Sequence, residues 1–201
     1  MLKKFSKPER AWIMYDWANS AQSSIIVAIL LPILYKNIAV ASGLDKTLAT
    51  SYWGYASSLA SLLVALAAPV LGTLGDYMGL RKRMFAGFLW VGVGATALLT
   101  FAPGWVSILA LFALSCIGFY GANIYYDSML VDVTTPERMD LVSTAGYSFG
   151  YIGGSTIPLV IALALYATAS LWGPFFSLEA EAAGNLAMRF SCLLTALWWA
   201  W

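Results

Sequence analysis

Long uncharged stretches set the pattern of polar and apolar positions along this chain. Five runs contain no charged residue, and they cover residues 17–35, 47–75, 84–126, 141–178 and 190–201. An α-helix needs about 20 apolar residues to cross the hydrocarbon core of a bilayer. Backbone polar groups inside lipid must be satisfied within the protein, which favours helices for such runs. The pattern therefore predicts an all-α membrane protein.

The lengths of the runs predict six transmembrane helices. The run over residues 84–126 is about twice the length of one span, and Pro103-Gly104 near its middle indicates a turn between two helices. The predicted helices cover residues 15–38, 51–73, 83–102, 105–130, 141–168 and 186–201. The last segment is short for a span. We therefore expect a truncated sixth helix, in a chain (residues 1–201) that is a fragment of a longer protein.

Composition agrees with lipid surroundings and narrows the candidate chemistry. Charged residues make up 10% of the chain, against about a quarter in soluble domains. The net charge is +1 and no basic tract is present, which argues against a nucleic-acid partner. The chain has no histidine, and Cys116 and Cys192 lie inside predicted helices without a metal-ligand spacing. We expect both cysteines to be packing residues, and we predict no metal and no cofactor.

The distribution of lysine and arginine predicts the orientation in the membrane. Cytoplasmic segments of membrane proteins carry an excess of these residues. With a cytoplasmic N-terminus, the inner segments hold eight of them: Lys3, Lys4, Lys7, Arg10, Arg81, Lys82, Arg83 and Arg138. The outer segments then hold only Lys36, Lys46 and Arg189. The N-terminus is therefore predicted to be cytoplasmic.

The loop between the second and third predicted helices has a distinctive composition. It combines three glycines, an aspartate and three basic residues: Gly72, Gly75, Asp76, Gly79, Arg81, Lys82 and Arg83. Glycines permit a sharp turn and close backbone packing. The basic residues favour the cytoplasmic side and can contact lipid headgroups. The basic residues alone would indicate only an ordinary cytoplasmic loop.

The whole loop resembles the signature of the major facilitator superfamily, glycine-x-x-x-aspartate-x-x-glycine-x-basic-basic. The resemblance implies the N-terminal six-helix half of a twelve-helix transporter, with Asp76 gating the cytoplasmic side against a C-terminal half that this chain lacks. Tyr77 and Leu80 depart from the family pattern, which often has basic residues there. The fourth predicted helix also carries no arginine, which argues against proton-driven drug antiport.

Three further segments are similar to the "unknown major facilitator" family, the branch similar to fungal vacuolar amino-acid effluxers. They are residues 15–20 (YDWANS), residues 126–130 (YDSML), and residues 142–146 (VSTAG) followed by 150–154 (GYIGG). The resemblance implies transport of a small-molecule substrate, with amino acids as one class, by alternating access. The short loops look like those of a bacterial plasma-membrane member.

Polar residues on the first helix share one face. Asp16, Asn19, Ser20 and Ser23 are spaced at i, i+3, i+4 and i+7, and polar groups in membrane helices usually face the bundle interior or a watery cavity. This face is the first part of a candidate transport path. Two interpretations of Asp16 stay open: contact with a cation or a substrate amine, or packing of an interfacial carboxylate against a neighbouring helix.

The fourth helix ends in a polar segment that contributes Asn123, Tyr126 and Asp127 to the candidate path. Asp127 and Asp132 either pair with basic residues of the cytoplasmic loops or take part in coupling. A membrane-embedded enzyme that uses these carboxylates is a further alternative. No nucleophile or set of metal ligands lies near them in the sequence.

The fifth helix presents two different faces. Gly146, Gly150 and Gly154 recur every four residues and Gly153 widens their face, a pattern typical of close helix packing. The other face completes the candidate path with Ser148, Tyr151 and Ser155, together with Thr144. A homodimeric half-transporter or channel, in which two copies pair across the open face, remains an alternative to the fragment of a longer transporter.

Overall fold

The computed structural model describes residues 2–77 and 79–201, so Met78 of the predicted gating loop lies outside the described residues. The described residues form helices and no strand, which confirms the all-α prediction. Within them the long helices are α1 (Lys7–Ala41), α2 (Lys46–Gly75), α3 (Leu80–Leu99), α4 (Trp105–Ser128), α5 (Pro136–Ala167) and α6 (Ala180–Ala200).

Four of these helices are long and apolar enough to cross a membrane: α1, α2, α4 and α5. The first turn of α3 holds three consecutive basic residues, and α6 contains Glu181 and Arg189, so both are less apolar. Length and composition therefore support a helical membrane protein. The six crossings remain a prediction.

Several helices begin earlier than the uncharged runs predicted, because capping residues rather than lipid-facing residues fix a helix end. In α1, the Ser6 amide donates to Glu9 Oε2 at 2.7 Å and the Glu9 amide donates to Ser6 Oγ at 3.3 Å. In α2, Asp45 Oδ1 accepts from two backbone amides at 2.8 and 3.1 Å. These amides hold the pKa of the Asp45 carboxyl below its ordinary value.

The predicted start of the sixth helix is wrong. The prediction placed it at Leu186, whereas α6 begins at Ala180. The prediction followed the apolar run and therefore excluded Glu181. A carboxylate in the first turn of a helix is stabilised by the positive end of the helix dipole. A charged residue there is compatible with the helix and does not mark its boundary.

Two helices contain stretches of wider, π-type winding. They are Gln22–Ile29 in α1 and Gly150–Thr156 in α5. Proline has no amide hydrogen, and its ring clashes with the carbonyl group four residues earlier. For Pro32 and Pro158 those carbonyls belong to Ala28 and Gly154, and both lie inside the π-type stretches. The wider winding of α1 and α5 thus lies just before a proline, whereas α2 keeps regular α-helical winding around Pro69. Stretches of π-type winding are frequent at functional sites.

A buried polar network joins α1, α3 and α4. Gln22, Thr96 and Ser115 are fully buried. Gln22 Nε2 donates to Ser115 Oγ at 3.3 Å, and the hydroxyls of Ser115 and Thr96 lie 2.7 Å apart. Buried polar groups need partners of this kind when no water is near. The network therefore fixes the relative positions of three helices that otherwise pack through apolar side chains.

Helices α1 and α5 pack closely against each other, and glycines on α5 allow this approach. A Cβ atom added to Gly146 would lie 2.8 Å from Trp12 Cζ3, and one added to Gly150 would lie 2.8 Å from Ser20 Oγ. A Cβ on Gly153 would overlap the Trp17 ring. A Cβ on Gly154 would overlap the backbone oxygen of Trp17. No larger residue fits at these positions unless the helices separate.

We predict that Gly154→Ala lowers the free energy of unfolding by about 2 kcal/mol, because the added methyl group meets rigid backbone. The measurement is a denaturant titration in detergent micelles. Gly87→Ala is the matched control, since a Cβ at Gly87 meets nothing within 4 Å. That control should be neutral or slightly stabilising, because alanine favours helix more than glycine. Equal effects of the two substitutions would contradict the close approach of α1 and α5.

Candidate functional site

A cavity of about 340 Å³ lies between α1, α4 and α5. Most of its lining residues carry polar groups. They are Trp12, Asp16, Asn19, Ser20, Ser23, Phe119, Asn123, Tyr126, Asp127, Leu130, Ser143, Tyr147, Tyr151 and Ser155. The fold thus brings together all the candidate path residues except Thr144 and Ser148.

Ser148 lies outside the cavity lining. It is exposed, and its hydroxyl donates to the Thr144 carbonyl of its own helix at 2.8 Å. On α5 the lining residues are spaced four apart: Ser143, Tyr147, Tyr151 and Ser155. The prediction assumed regular α-helical phase, with 3.6 residues per turn. The π-type stretch has more residues per turn, so the polar face shifts by one position in the part of α5 that precedes this stretch. Ser143 and Tyr147 therefore line the cavity in place of Thr144 and Ser148.

Hydrogen bonds satisfy most of the neutral polar groups around the cavity. Asn19 Nδ2 on α1 donates to Asn123 Oδ1 on α4 at 2.9 Å. The Ser20 hydroxyl donates to the Asp16 carbonyl at 2.7 Å, and the Ser23 hydroxyl donates to the Ser20 carbonyl at 2.9 Å. The Ser155 hydroxyl reaches the same Ser20 carbonyl at 3.4 Å. The hydroxyls of Ser20, Ser23 and Ser155 are therefore engaged with backbone, and the carboxylates are among the groups left for a ligand.

Asp16 and Asp127 face the cavity from different helices. Asp16 is half-buried, and its Oδ2 atom would lie 3.4 Å from a Cβ added to Gly146. Asp16 therefore packs against α5 and also lines the cavity, so both interpretations describe part of its surroundings. Asp127 is exposed, and no ion pair to either aspartate occurs within residues 2–77 and 79–201.

Aromatic side chains form the wall next to the two aspartates. The Trp12 indole donates to the Tyr126 carbonyl at 3.0 Å, and the rings of Trp12 and Tyr126 stack with centroids 4.4 Å apart. The Tyr15 ring packs on Tyr126 at 4.6 Å. Tyr126 is 6% exposed, and its hydroxyl has no hydrogen-bond partner in the described part of the chain.

Sequence reasoning missed five lining residues: Trp12, Phe119, Leu130, Ser143 and Tyr147. Trp12 precedes Asp16 by one helical turn and so shares its face. The spacing of Trp12 and Asp16 was the signal that could have placed Trp12 in the site.

Arg81 organises the loop between α2 and α3. Its guanidinium pairs with Asp132, donates to the Gly75 and Ser128 carbonyls at 3.3 and 3.4 Å, and lies 4.0 Å from Asp76 Oδ1. Of the two aspartates at the end of α4, Asp132 therefore pairs with a basic loop residue, whereas Asp127 faces the cavity.

The glycines and remaining basic residues of the loop take different positions. Gly79 has φ of +77°, a left-handed conformation that favours glycine, at the start of α3. Gly75 is buried, and an added Cβ would lie 3.1 Å from the Tyr125 ring. Gly72 is exposed with open space around it, and Lys82 and Arg83 are exposed in the first turn of α3.

A second ionic cluster joins the start of α1 to the connection between α4 and α5. Glu9 accepts from Arg138 Nε at 2.8 Å, from Arg138 Nη2 at 3.1 Å and from the Thr134 hydroxyl at 2.7 Å. Arg138 also donates to the Lys4 carbonyl at 3.3 Å. These contacts bring basic residues from two predicted cytoplasmic segments to the same end of the bundle.

Span-length apolar helices around a polar cavity define a helical membrane protein with an internal polar site. The family model described as "Vacuole effluxer Atg22 like" matches residues 46–137. The chain is also 41% identical over 201 residues to the uncharacterized MFS-type transporter YxiO of Bacillus subtilis (strain 168). The chain is therefore similar to an MFS-type transporter and to the Atg22-like vacuole effluxers, as the loop motif and the three segments predicted.

The alignment with YxiO covers 99% of this chain and 45% of YxiO, so the chain spans about half the length of that relative. No solved structure matches the chain significantly.

We predict that the Asn19–Asn123 hydrogen bond couples α1 to α4. Asn19→Leu or Asn123→Leu alone should lower the free energy of unfolding by about 1–3 kcal/mol, because each leaves a polar partner unsatisfied. The double variant should recover most of that loss, since both partners are then apolar and similar in shape. A double-mutant cycle in detergent measures the coupling. Purely additive losses would show that the two amides do not interact.

Proposed function

We propose that this chain is part of a secondary transporter that moves a small solute across a membrane by alternating access. The observation that carries the proposal is the polar cavity between α1, α4 and α5, in a bundle of otherwise apolar helices. Polar and ionisable groups inside membrane helices are costly and usually line transport paths. The match to an MFS-type transporter supports the same function.

The proposed transporter has two six-helix halves, and this chain corresponds to the N-terminal one. In transporters of this type the substrate lies between the halves, and one half rocks against the other. The six long helices of the described residues and the share of YxiO that the chain covers support this arrangement. The missing partner is then a C-terminal six-helix half, which would cover the open side of the cavity.

We place the protein in a bacterial plasma membrane with the N-terminus in the cytoplasm. The Arg138–Lys4 contact and the Arg81–Asp132 pair put the start of α1, the start of α3 and the α4–α5 connection at one end of the bundle. That end carries eight basic residues: Lys3, Lys4, Lys7, Arg10, Arg81, Lys82, Arg83 and Arg138. The positive-inside rule assigns that end to the cytoplasm. Amino acids are the proposed substrate class, because the matching family model describes vacuole effluxers and the chain resembles amino-acid effluxers of that branch.

Asp76 is the proposed cytoplasmic gate. It is exposed at the end of α2, and within residues 2–77 and 79–201 its one ion-pair contact is with the Arg81 guanidinium, at 4.0 Å. Its carboxylate therefore has most of its hydrogen-bonding capacity left for a second surface. A contact that forms only when the cytoplasmic side is closed would stabilise that state and set the rate of exchange.

We predict that Asp76→Asn slows solute flux several-fold without lowering the amount of protein in the membrane. The measurement is accumulation of a mixture of radiolabelled amino acids in inverted membrane vesicles that contain the intact protein to which this chain belongs. Asp140→Asn, an exposed aspartate in the first turns of α5, is the control with the same change in charge. Flux that is unchanged in Asp76→Asn would remove the gating role. Flux that does not depend on expression would overturn transport of amino acids.

A further inference from the structure

The cavity holds two carboxylates and no basic side chain. Asp16 and Asp127 line it from α1 and α4, and no lysine or arginine is among the described lining residues. Two arginines of neighbouring helices bond elsewhere: Arg81 at the start of α3 with Asp132, and Arg138 in α5 with Glu9. The pair therefore lacks a counter-charge within the described part of the chain.

A third acceptor lies beside the pair. The Tyr126 hydroxyl is buried without a hydrogen-bond partner, although Tyr126 lines the cavity. The Tyr126 ring stacks on Trp12, one helical turn before Asp16, and Asp127 follows Tyr126 directly in the chain, so Tyr126 belongs to the same wall of the cavity. Seven side-chain atoms of the described residues are buried without a partner, and the Tyr126 hydroxyl is the one that belongs to a residue of the cavity lining. A buried polar atom without a partner calls for an explanation, such as an absent ligand. Two carboxylates and a hydroxyl present acceptors to one ligand that carries hydrogen-bond donors.

The rest of the lining selects among positively charged ligands. Four further aromatic residues line the cavity: Trp12, Phe119, Tyr147 and Tyr151. Aromatic faces attract organic cations through the ring quadrupole. A strongly hydrated metal cation instead requires a nearly complete shell of oxygen ligands. An ammonium group has three N–H donors, which match the three acceptors, and its carbon chain can lie against the rings.

We propose that this cavity binds the protonated amino group of a small organic solute, held between Asp16 and Asp127 with the Tyr126 hydroxyl as third acceptor. The inference rests on the proposed function, because it assigns a chemical class to the solute of the same path. It also assigns the two charged groups of an amino acid to two different surfaces. This chain contacts the ammonium group, and the carboxylate of the solute is bound by a different surface.

The test measures binding, and it does not depend on transport. Radiolabelled butylammonium is equilibrated with the purified intact protein in detergent, at constant ionic strength, and bound label is counted. We expect saturable binding that weakens at least tenfold in Asp16→Asn and in Asp127→Asn. Asp140→Asn should bind like the unmodified protein, because Asp140 is exposed and is not among the cavity residues. Unlabelled sodium butyrate should not compete beyond the effect of sodium chloride.

Three results would overturn the proposal. They are the absence of saturable binding, equal binding in the aspartate variants, and displacement by sodium chloride at the same concentration as unlabelled butylammonium. The last result would assign the pair to an inorganic cation. Tyr126→Phe removes one oxygen and retains the ring stack, so it tests the third acceptor if an aspartate variant fails to fold. Its binding should weaken several-fold, and unchanged binding there contradicts the assignment of that hydroxyl.

The binding assay and the flux assay separate this inference from the proposed function. Butylammonium binding without amino-acid flux would leave the ammonium site in place and remove the transport proposal. Flux without butylammonium binding would leave transport in place and remove the ammonium site.

Discussion

The close approach of α1 and α5 is the contact on which the site depends. Gly146, Gly150 and Gly154 leave room for Trp12, Ser20 and the Trp17 backbone, and the Asp16 carboxyl fits against the same surface. A side chain at any of these glycines would move α1 away from α5 and widen the cavity between them. The polar face of α1 reaches the cavity because the neighbouring helix has no side chains at these positions.

Proline and π-type winding explain how two long apolar helices carry irregular polar faces. Pro32 and Pro158 each follow a widened stretch, and those stretches contribute Ser23, Tyr151 and Ser155 to the cavity. Backbone that departs from regular helix is tolerated at membrane depth where it is buried in protein or lines a watery cavity. The irregular winding and the polar lining therefore occur together for a common physical reason.

The sequence predicted the helical class and most cavity residues, because charge-free runs and i, i+4 spacing depend on local geometry alone. It failed at helix ends, where capping by Ser6 and Asp45 extends helices beyond the apolar run. It also failed at Ser148, since the phase of α5 changes with its winding. The sequence left open which of Asp127 and Asp132 pairs with a basic residue, because the contact between Arg81 and Asp132 joins residues far apart along the chain.

The end of α4 joins the cavity to the loop between α2 and α3. Asp127 lines the cavity, whereas the Ser128 carbonyl and Asp132, a little further along, hold Arg81. A rotation of this segment would turn Asp127 relative to α1 and would pull on the Arg81 side chain at the same time. Occupancy of the cavity and the position of the loop then become mechanically linked. A small rotation of this segment at the cavity would therefore also move the loop between α2 and α3.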